Sequence, residues 1–208
     1  MQTVFVNPER CIGCLQCEFA CAVEHSVSRD PALAVLQRPA ARARVHVEAG
    51  ERSGSSFPNR CRHCDPAPCL QVCPTGAIWR DAEHDLILID EAKCIGCAMC
   101  AIVCPFDVIT YHAVVGTGDR NVAVKCDGCV QRLEEGRQPA CAEVCMVDAL
   151  VFGEINDLLA AGRVRQTSAA LNAAAAMDPL APAIPDSITS WRTLGTEAAQ
   201  VGRAGGVQ

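Results

Sequence analysis

Large aromatic side chains are scarce in this chain: five Phe, two Trp and one Tyr make up 4% of its 208 residues. Much of the 50% apolar content is Ala and Cys. A core of large side chains would be thin, so something else must hold the interior together. No stretch approaches the roughly 18 apolar residues of a membrane helix, which argues against a spanning segment. There is no Walker A loop and no dinucleotide fingerprint, since Gly116-Thr117-Gly118-Asp119 is a lone turn. No apolar leader core precedes Cys11, so the expected compartment is the cytoplasm, with export as a passenger on a signal-bearing partner left open. A net charge of −6 speaks against nucleic acid as a partner.

What the chain has is cysteine. All sixteen fall into four cassettes of four: Cys11, Cys14, Cys17 and Cys21; Cys61, Cys64, Cys69 and Cys73; Cys94, Cys97, Cys100 and Cys104; Cys126, Cys129, Cys141 and Cys145. A secreted disulfide framework would need an oxidising compartment. Structural zinc would show paired knuckles separated by a longer loop. Three ligands packed as Cys-x2-Cys-x2-Cys, with a fourth one helical turn further on, suit a cuboidal cluster better. The run Cys94 to Cys104, closed by Pro105, is the ligand pattern of a bacterial-type 4Fe-4S cluster, whose fourth Cys usually serves the neighbouring cluster. Metal-binding free energy then becomes folding free energy and makes up for the thin core.

Aligning the cassettes exposes three further regularities. A cation precedes each first Cys: Arg10, Arg60, Lys93 and Lys125. Local charge is one lever on cluster potential, so each cation is expected to act on the cluster beside it. Gly13, Gly96 and Gly128 stand just before the second Cys, where a left-handed backbone would turn amides toward sulfur. His63 takes that place in the second cassette and is read as a backbone substitute or a donor beside the cluster, not as an iron ligand. Finally, Cys73 and Cys104 are followed by Pro74 and Pro105, whereas Cys21 and Cys145 are followed by Ala22 and Met146. That pairs the second cassette with the third and the first with the fourth. With fourth cysteines crossing over, the expected sets are Cys11, Cys14, Cys17 and Cys145; Cys61, Cys64, Cys69 and Cys104; Cys94, Cys97, Cys100 and Cys73; and Cys126, Cys129, Cys141 and Cys21.

The expected fold class is α+β: two bacterial-ferredoxin-like dicluster modules of short β-hairpins and short helices, one inserted in the other, plus a C-terminal extension. The outer module would take residues 1–60 and 106–153, the inner one 61–105, and the extension 154–208. Strands are expected at 3–6, 43–48 and 149–153, with hairpins pairing 77–80 with 86–89 and 108–115 with 121–125. Helices are expected at 17–25, 130–138 and 168–177, the last capped by Ser168 and stopped by Asp178-Pro179. The Ser- and Gly-rich stretch 50–58 reads as a loop. The extension is Ala-rich, holds Pro179, Pro182, Pro185 and Trp191, and cannot build a core, so it is expected to wrap a partner.

On these spacings (x2-x2-x3, x2-x4-x3, x2-x2-x3 and x2-x11-x3) and on Cys61-Arg62-His63-Cys64 through Cys73-Pro74-Thr75-Gly76-Ala77, residues 3–153 resemble the four-cluster electron-transfer subunits. These serve dimethyl sulfoxide reductase, formate dehydrogenase, formate hydrogenlyase and carbon monoxide dehydrogenase–hydrogenase systems. The resemblance implies four 4Fe-4S clusters held by all sixteen Cys. It also implies a large catalytic partner of tungsten or molybdenum pterin type or nickel–iron type, with a flavin subunit as a candidate second terminal. A tungsten aldehyde oxidoreductase is one specific expectation, and head-to-tail stacking of copies into a chain is another. The departures are Met146, where many relatives have proline, and the tail. No catalytic residue is expected. His25, His46, His84 and His112 are isolated and read as surface or packing, and no spare cysteine remains as a nucleophile. The leading function is a non-catalytic redox relay. A free polyferredoxin carrier and a cluster-bearing sensor or structural module are the alternatives.

Overall fold

Each cassette leads into a short helix, and between cassettes the chain folds back on itself as two-stranded ribbons. The structure, a computed structural model, describes residues 2–51, 55–115 and 120–177. The Gly116–Asp119 turn and the prolines and Trp191 of the tail lie outside them. The chain divides into two units, Met1–Leu159 and Ala160–Gln208, and the cassettes all lie in the first.

The order begins with strand β1 (Gln2–Val6), a single turn at Pro8–Arg10, and helix α1 (Gln16–Glu24). Cys17 and Cys21 lie one turn apart on α1 and both are buried, as the 3.6-residue period requires of residues sharing a face. Helix α2 (Pro31–Ala34) is capped by the Asp30 carboxylate, which accepts from the amides of Ala32 and Leu33. Strands β2 (Val45–Ala49) and β3 (Ser56–Arg60) form an antiparallel pair.

This ribbon corrects the loop expected at 50–58, because residues 56–60 are a strand. Pro58 concealed it, having no amide to offer a ladder. Here Pro58 stands opposite Val47, whose own amide turns to the Glu18 carboxylate instead. In a ribbon of two strands, both are edges and proline is tolerated.

Next come α3 (Pro68–Gln71), the hairpin β4 (Ile78–Asp81) with β5 (Leu86–Ile89), and α4 (Met99–Ile102). The hairpin β6 (Thr110–Ala113) with β7 (Asn121–Val124) follows, and then α5 (Val130–Glu134) and α6 (Ala140–Glu143). Strand β8 (Leu150–Glu154) closes the unit by pairing antiparallel with β1, Val6 opposite Leu150 and Gln2 opposite Glu154. The first and last cassettes are thereby brought together. The expected helix at 168–177 is the end of a longer one, α7 (Ile155–Met177). No described helix is long and apolar enough to cross a membrane.

Among the described residues three buried apolar groups form the core, and cysteines belong to each. Val4, Val45 and Leu150 pack with Cys17, Cys21 and Cys141, with Cys145 at the margin. Val108 packs with Cys61 and Cys126, with Cys104 and Phe106 at the margin. Ile78, Ile87, Ile109, Val122 and Val124 pack with Cys94 and Cys100, with Cys69, Cys73 and Cys104 at the margin.

Candidate metal centres

The backbone before the second Cys of every cassette is left-handed: φ is +66° at Gly13, +49° at His63, +69° at Gly96 and +72° at Gly128. Glycine is the natural occupant there. At Gly96 space forbids anything larger as well, since a Cβ would stand 2.9 Å from the carbonyl oxygen of Asn121. His63 takes the same backbone shape at some strain. This geometry turns amides onto the preceding thiol: His63 N–H donates to Cys61 Sγ and Gly128 N–H to Cys126 Sγ, both at 3.4 Å.

Other amides reach sulfur from outside the cassettes. Arg44 N–H donates to Cys21 Sγ at 3.2 Å, Ala123 N–H to Cys94 Sγ at 3.3 Å and Leu150 N–H to Cys145 Sγ at 3.3 Å. Tyr111, the chain's one tyrosine, places its hydroxyl 3.0 Å from Cys100 Sγ. Such donors stabilise thiolate, the ligating form.

The sixteen thiols are all free, and they meet across cassettes. One apolar pocket is lined by Cys11, Cys14, Cys17 and Cys145, and another by Cys94, Cys97, Cys100 and Cys73. Burial and then the charge of Cys126 push the Cys21 thiol well up, with Cys141 and Cys129 adding to the rise. Cys69 is pushed up by burial, pulled back by Lys125 and raised again by Cys61 and Cys104. Burial, offset by Arg60 and reinforced by Cys126 and Cys17, takes Cys141 to about 12. Thiols packed so that their anions are penalised by burial and by one another are a donor set that fits a cluster of positive iron. Three buried side-chain nitrogens also find no protein partner among the described residues: His46 Nε2, Arg60 Nε and His63 Nε2, the last two beside the cassettes. Arg60 Nε and His63 Nε2 fit a site in which sulfide would be the acceptor.

The four cations do not behave alike: Arg60 and Lys125 pull down the thiols of their own cassettes, Cys61 and Cys126, and also reach across to the other cassette. Arg10 pairs with Asp148 at 3.2 Å and Lys93 with Asp90 at 3.1 Å, both at the surface. Arg60 and Lys125 are buried, 3% exposed each. Arg60 precedes Cys61 but donates to Cys126 Sγ at 3.7 Å and to the Val4 carbonyl at 3.0 Å. Burial would push the Cys126 thiol up, yet Arg60 holds it below its ordinary value. Lys125 precedes Cys126, and after burial it is the strongest influence on Cys61, which it pulls down.

Sequence reasoning also missed the side chains that bind the cassettes together, because they pair residues far apart. His25 joins Cys21 to Asp127, and Arg44 donates to Asp127 at 2.7 Å. Arg132 donates to Glu24 at 2.8 Å and to Glu143, tying α1, α5 and α6 together. Of the remaining histidines, His84 sits 3.1 Å from Asp81, and His112 lines a polar cavity with Arg42 and Arg44.

Two cysteines are exposed, Cys14 and Cys97. Around them stand exposed apolar side chains: Ile12 and Leu15 beside Cys14, and Ile95 and Met99 beside Cys97, with Ile12 and Ile95 at matching cassette positions. The residues corresponding to Ile12 and Ile95 in the other two cassettes are polar, Arg62 and Asp127.

Two family models, each described as a 4Fe-4S dicluster domain, match residues 53–155 and 10–78. Over 164 residues the chain is 37% identical to the thiosulfate reductase electron transfer subunit PhsB of Salmonella typhi, covering 75% of this chain and 78% of that one. It is 40% identical over 154 residues to an iron-sulfur protein of Rhodospirillum rubrum, 71% of this chain and 79% of that one. It is 34% identical over 166 residues to the probable anaerobic dimethyl sulfoxide reductase chain YnfG of Escherichia coli K12, 74% of each.

Proposed function

The chain belongs to the 4Fe-4S dicluster family, and from that membership we propose that it is the non-catalytic electron-transfer subunit of a reductase complex. Two dicluster domains imply four 4Fe-4S clusters. When bound, these supply reversible one-electron chemistry. The chain's residues hold them, exclude water from them and set the charge around them.

We assign the ligands as Cys11, Cys14, Cys17 and Cys145 to a first set, Cys61, Cys64, Cys69 and Cys104 to a second, Cys94, Cys97, Cys100 and Cys73 to a third, and Cys126, Cys129, Cys141 and Cys21 to a fourth. The two cysteine-lined pockets support the first and third sets. The influence of Cys126, Cys129 and Cys141 on Cys21 supports the fourth. On this reading the inner module, 61–105, is inserted in an outer one whose ends are joined by β1 and β8.

The order of the relay follows from the core. The first and fourth sets share one apolar group, the fourth and second share another, and the second and third share the last. Electrons would pass through first, fourth, second and third sets. The carrying observation is that the two terminal sets in this order own the two exposed cysteines, Cys14 and Cys97. Each is collared by exposed apolar side chains suited to a protein partner. One end would face a catalytic subunit of molybdenum or tungsten pterin type and the other a second redox partner. The names of the relatives favour a reductase as the catalytic partner, over the aldehyde oxidoreductase and nickel–iron alternatives. A cytoplasmic complex is part of the proposal, and recovery of the chain in a periplasmic fraction would move it.

Anaerobic affinity purification of the tagged full chain tests this reading. A single large subunit carrying molybdenum or tungsten in fixed ratio to the chain is expected. Recovery of the chain alone, fully loaded with iron, would favour the free carrier.

A further inference from the structure

Arg60 and Lys125 are buried cations, and among the described residues neither meets a carboxylate. Arg60 bonds the Val4 carbonyl and Cys126 Sγ, and Lys125 bonds the carbonyls of Ile87 and Cys126. A buried charge without a counter-charge costs several kcal/mol. Both are nevertheless placed where the second and fourth ligand sets share a core, and the thiolates there are the negative charge available to them. The equivalent cations of the terminal cassettes, Arg10 and Lys93, are spent on surface carboxylates.

Ile87 ties this centre together. Its amide donates to His63 Nδ1 at 3.0 Å, and its carbonyl accepts from Lys125 Nζ. Because Nδ1 accepts, the ring proton sits on Nε2, and that buried N–H lacks a protein partner. One residue of β5 thus fixes a histidine from the second cassette and a lysine from the fourth.

We propose that Arg60 and Lys125 are crossed positioning cations of the two central stations. Arg60, carried by the second cassette, favours the reduced state of the cluster held by Cys21, Cys126, Cys129 and Cys141. Lys125, carried by the fourth and joined through Ile87 to His63 of the second, does so for the cluster held by Cys61, Cys64, Cys69 and Cys104. His63 Nε2–H and Arg60 Nε–H add hydrogen bonds to sulfide. Positive charge and N–H donors near a cluster raise its potential, and they act strongly where water is excluded. The crossing couples the two stations, since each cassette carries the cation that favours electron arrival at the other. This inference rests on the ligand sets proposed above.

The test is an EPR-monitored redox titration of the full chain with its clusters. Signals are assigned through Cys64→Ser for the second set and Cys129→Ser for the fourth. If those two variants alter the same signal, the ligand sets fail and not the cations. With distinct signals, Arg60→Met is expected to lower the potential of the fourth-set signal, and Lys125→Met that of the second-set signal. At fixed ambient potential each change should reduce the ratio of reduced to oxidised cluster by about tenfold, equivalent to about 59 mV for one electron. Arg60→Lys and Lys125→Arg should restore most of it. A shift confined to the cluster of the same cassette, or no shift at unchanged iron content, overturns the proposal. Should the Met variants lose iron, isotopic labelling of arginine and lysine side-chain nitrogen in the unmodified protein decides instead. Arginine coupling to the fourth-set signal and lysine coupling to the second-set signal support the crossing. The reverse assignment, or no coupling, overturns it.

Discussion

His25 Nε2 stands 3.1 Å from both carboxylate oxygens of Asp127, a residue 102 positions further along the chain. The other ring nitrogen lies 2.7 Å from the carbonyl oxygen of Cys21. Both nitrogens therefore face oxygen atoms of the two cassettes. Cys21 and the neighbour of Cys126 are clamped through one side chain, which fixes the end of α1 against the fourth cassette. Arg44 reinforces the clamp, its side chain bonding Asp127 and its amide Cys21 Sγ.

Asp127→Asn removes the charge that His25 and Arg44 share. A charged hydrogen bond of this kind contributes about 2 kcal/mol. Challenge with an iron chelator under anaerobic conditions should then release one cluster's iron first, at least about tenfold faster than from the unmodified protein. The signal lost should be the one that Cys129→Ser alters. Uniform loss from all four sets would contradict the local role of the clamp.

Gly96→Ala combines a left-handed backbone with a Cβ 2.9 Å from the Asn121 carbonyl. Gly136→Ala has a similar φ, +72°, but nothing within 4 Å of the added carbon. The first change should cost about 2–3 kcal/mol and the second about 1 kcal/mol, read as a larger fall in unfolding temperature for Gly96→Ala. Equal falls would mean that β7 moves aside freely.

Tyr111→Phe deletes the hydroxyl that donates to Cys100 Sγ. Hydrogen bonds to sulfur raise cluster potential, and one is worth about 1 kcal/mol, or about 40 mV for one electron. Redox titration should show that drop in the signal altered by Cys97→Ser, and not in the others.

How much of this the sequence discloses depends on whether the informative partner is near in the chain. Gly13, Gly96 and Gly128 announce left-handed positions through their residue type, and His63 is recognisable by alignment with them. The helix carrying Cys17 and Cys21 is legible from the one-turn spacing, and the two hairpins between cassettes from alternation around polar turns. β3 is not, because Pro58 reads as a breaker until Glu18 is known to take the facing amide of Val47. The destinations of Arg60 and Lys125 are also hidden. Sequence shows which cysteine each precedes, and the fold brings Arg60 to Cys126 Sγ and Lys125 to the carbonyl of Ile87, whose amide holds His63. Tyr111 carries no mark of its bond to Cys100, eleven residues away, and the closure of β1 on β8 appears only once Val6 and Leu150 are paired.

The fourth cysteine of each cassette is proposed to cross to the cluster of its partner cassette, which joins the four sets in two pairs. Comparing the EPR spectrum of Cys104→Ser with those of Cys64→Ser and Cys97→Ser tests it most directly. Cys104→Ser should alter the same signal as Cys64→Ser and leave the Cys97→Ser signal untouched. If it instead alters the signal belonging to Cys97, each cassette keeps its own four ligands and the shared arrangement is wrong.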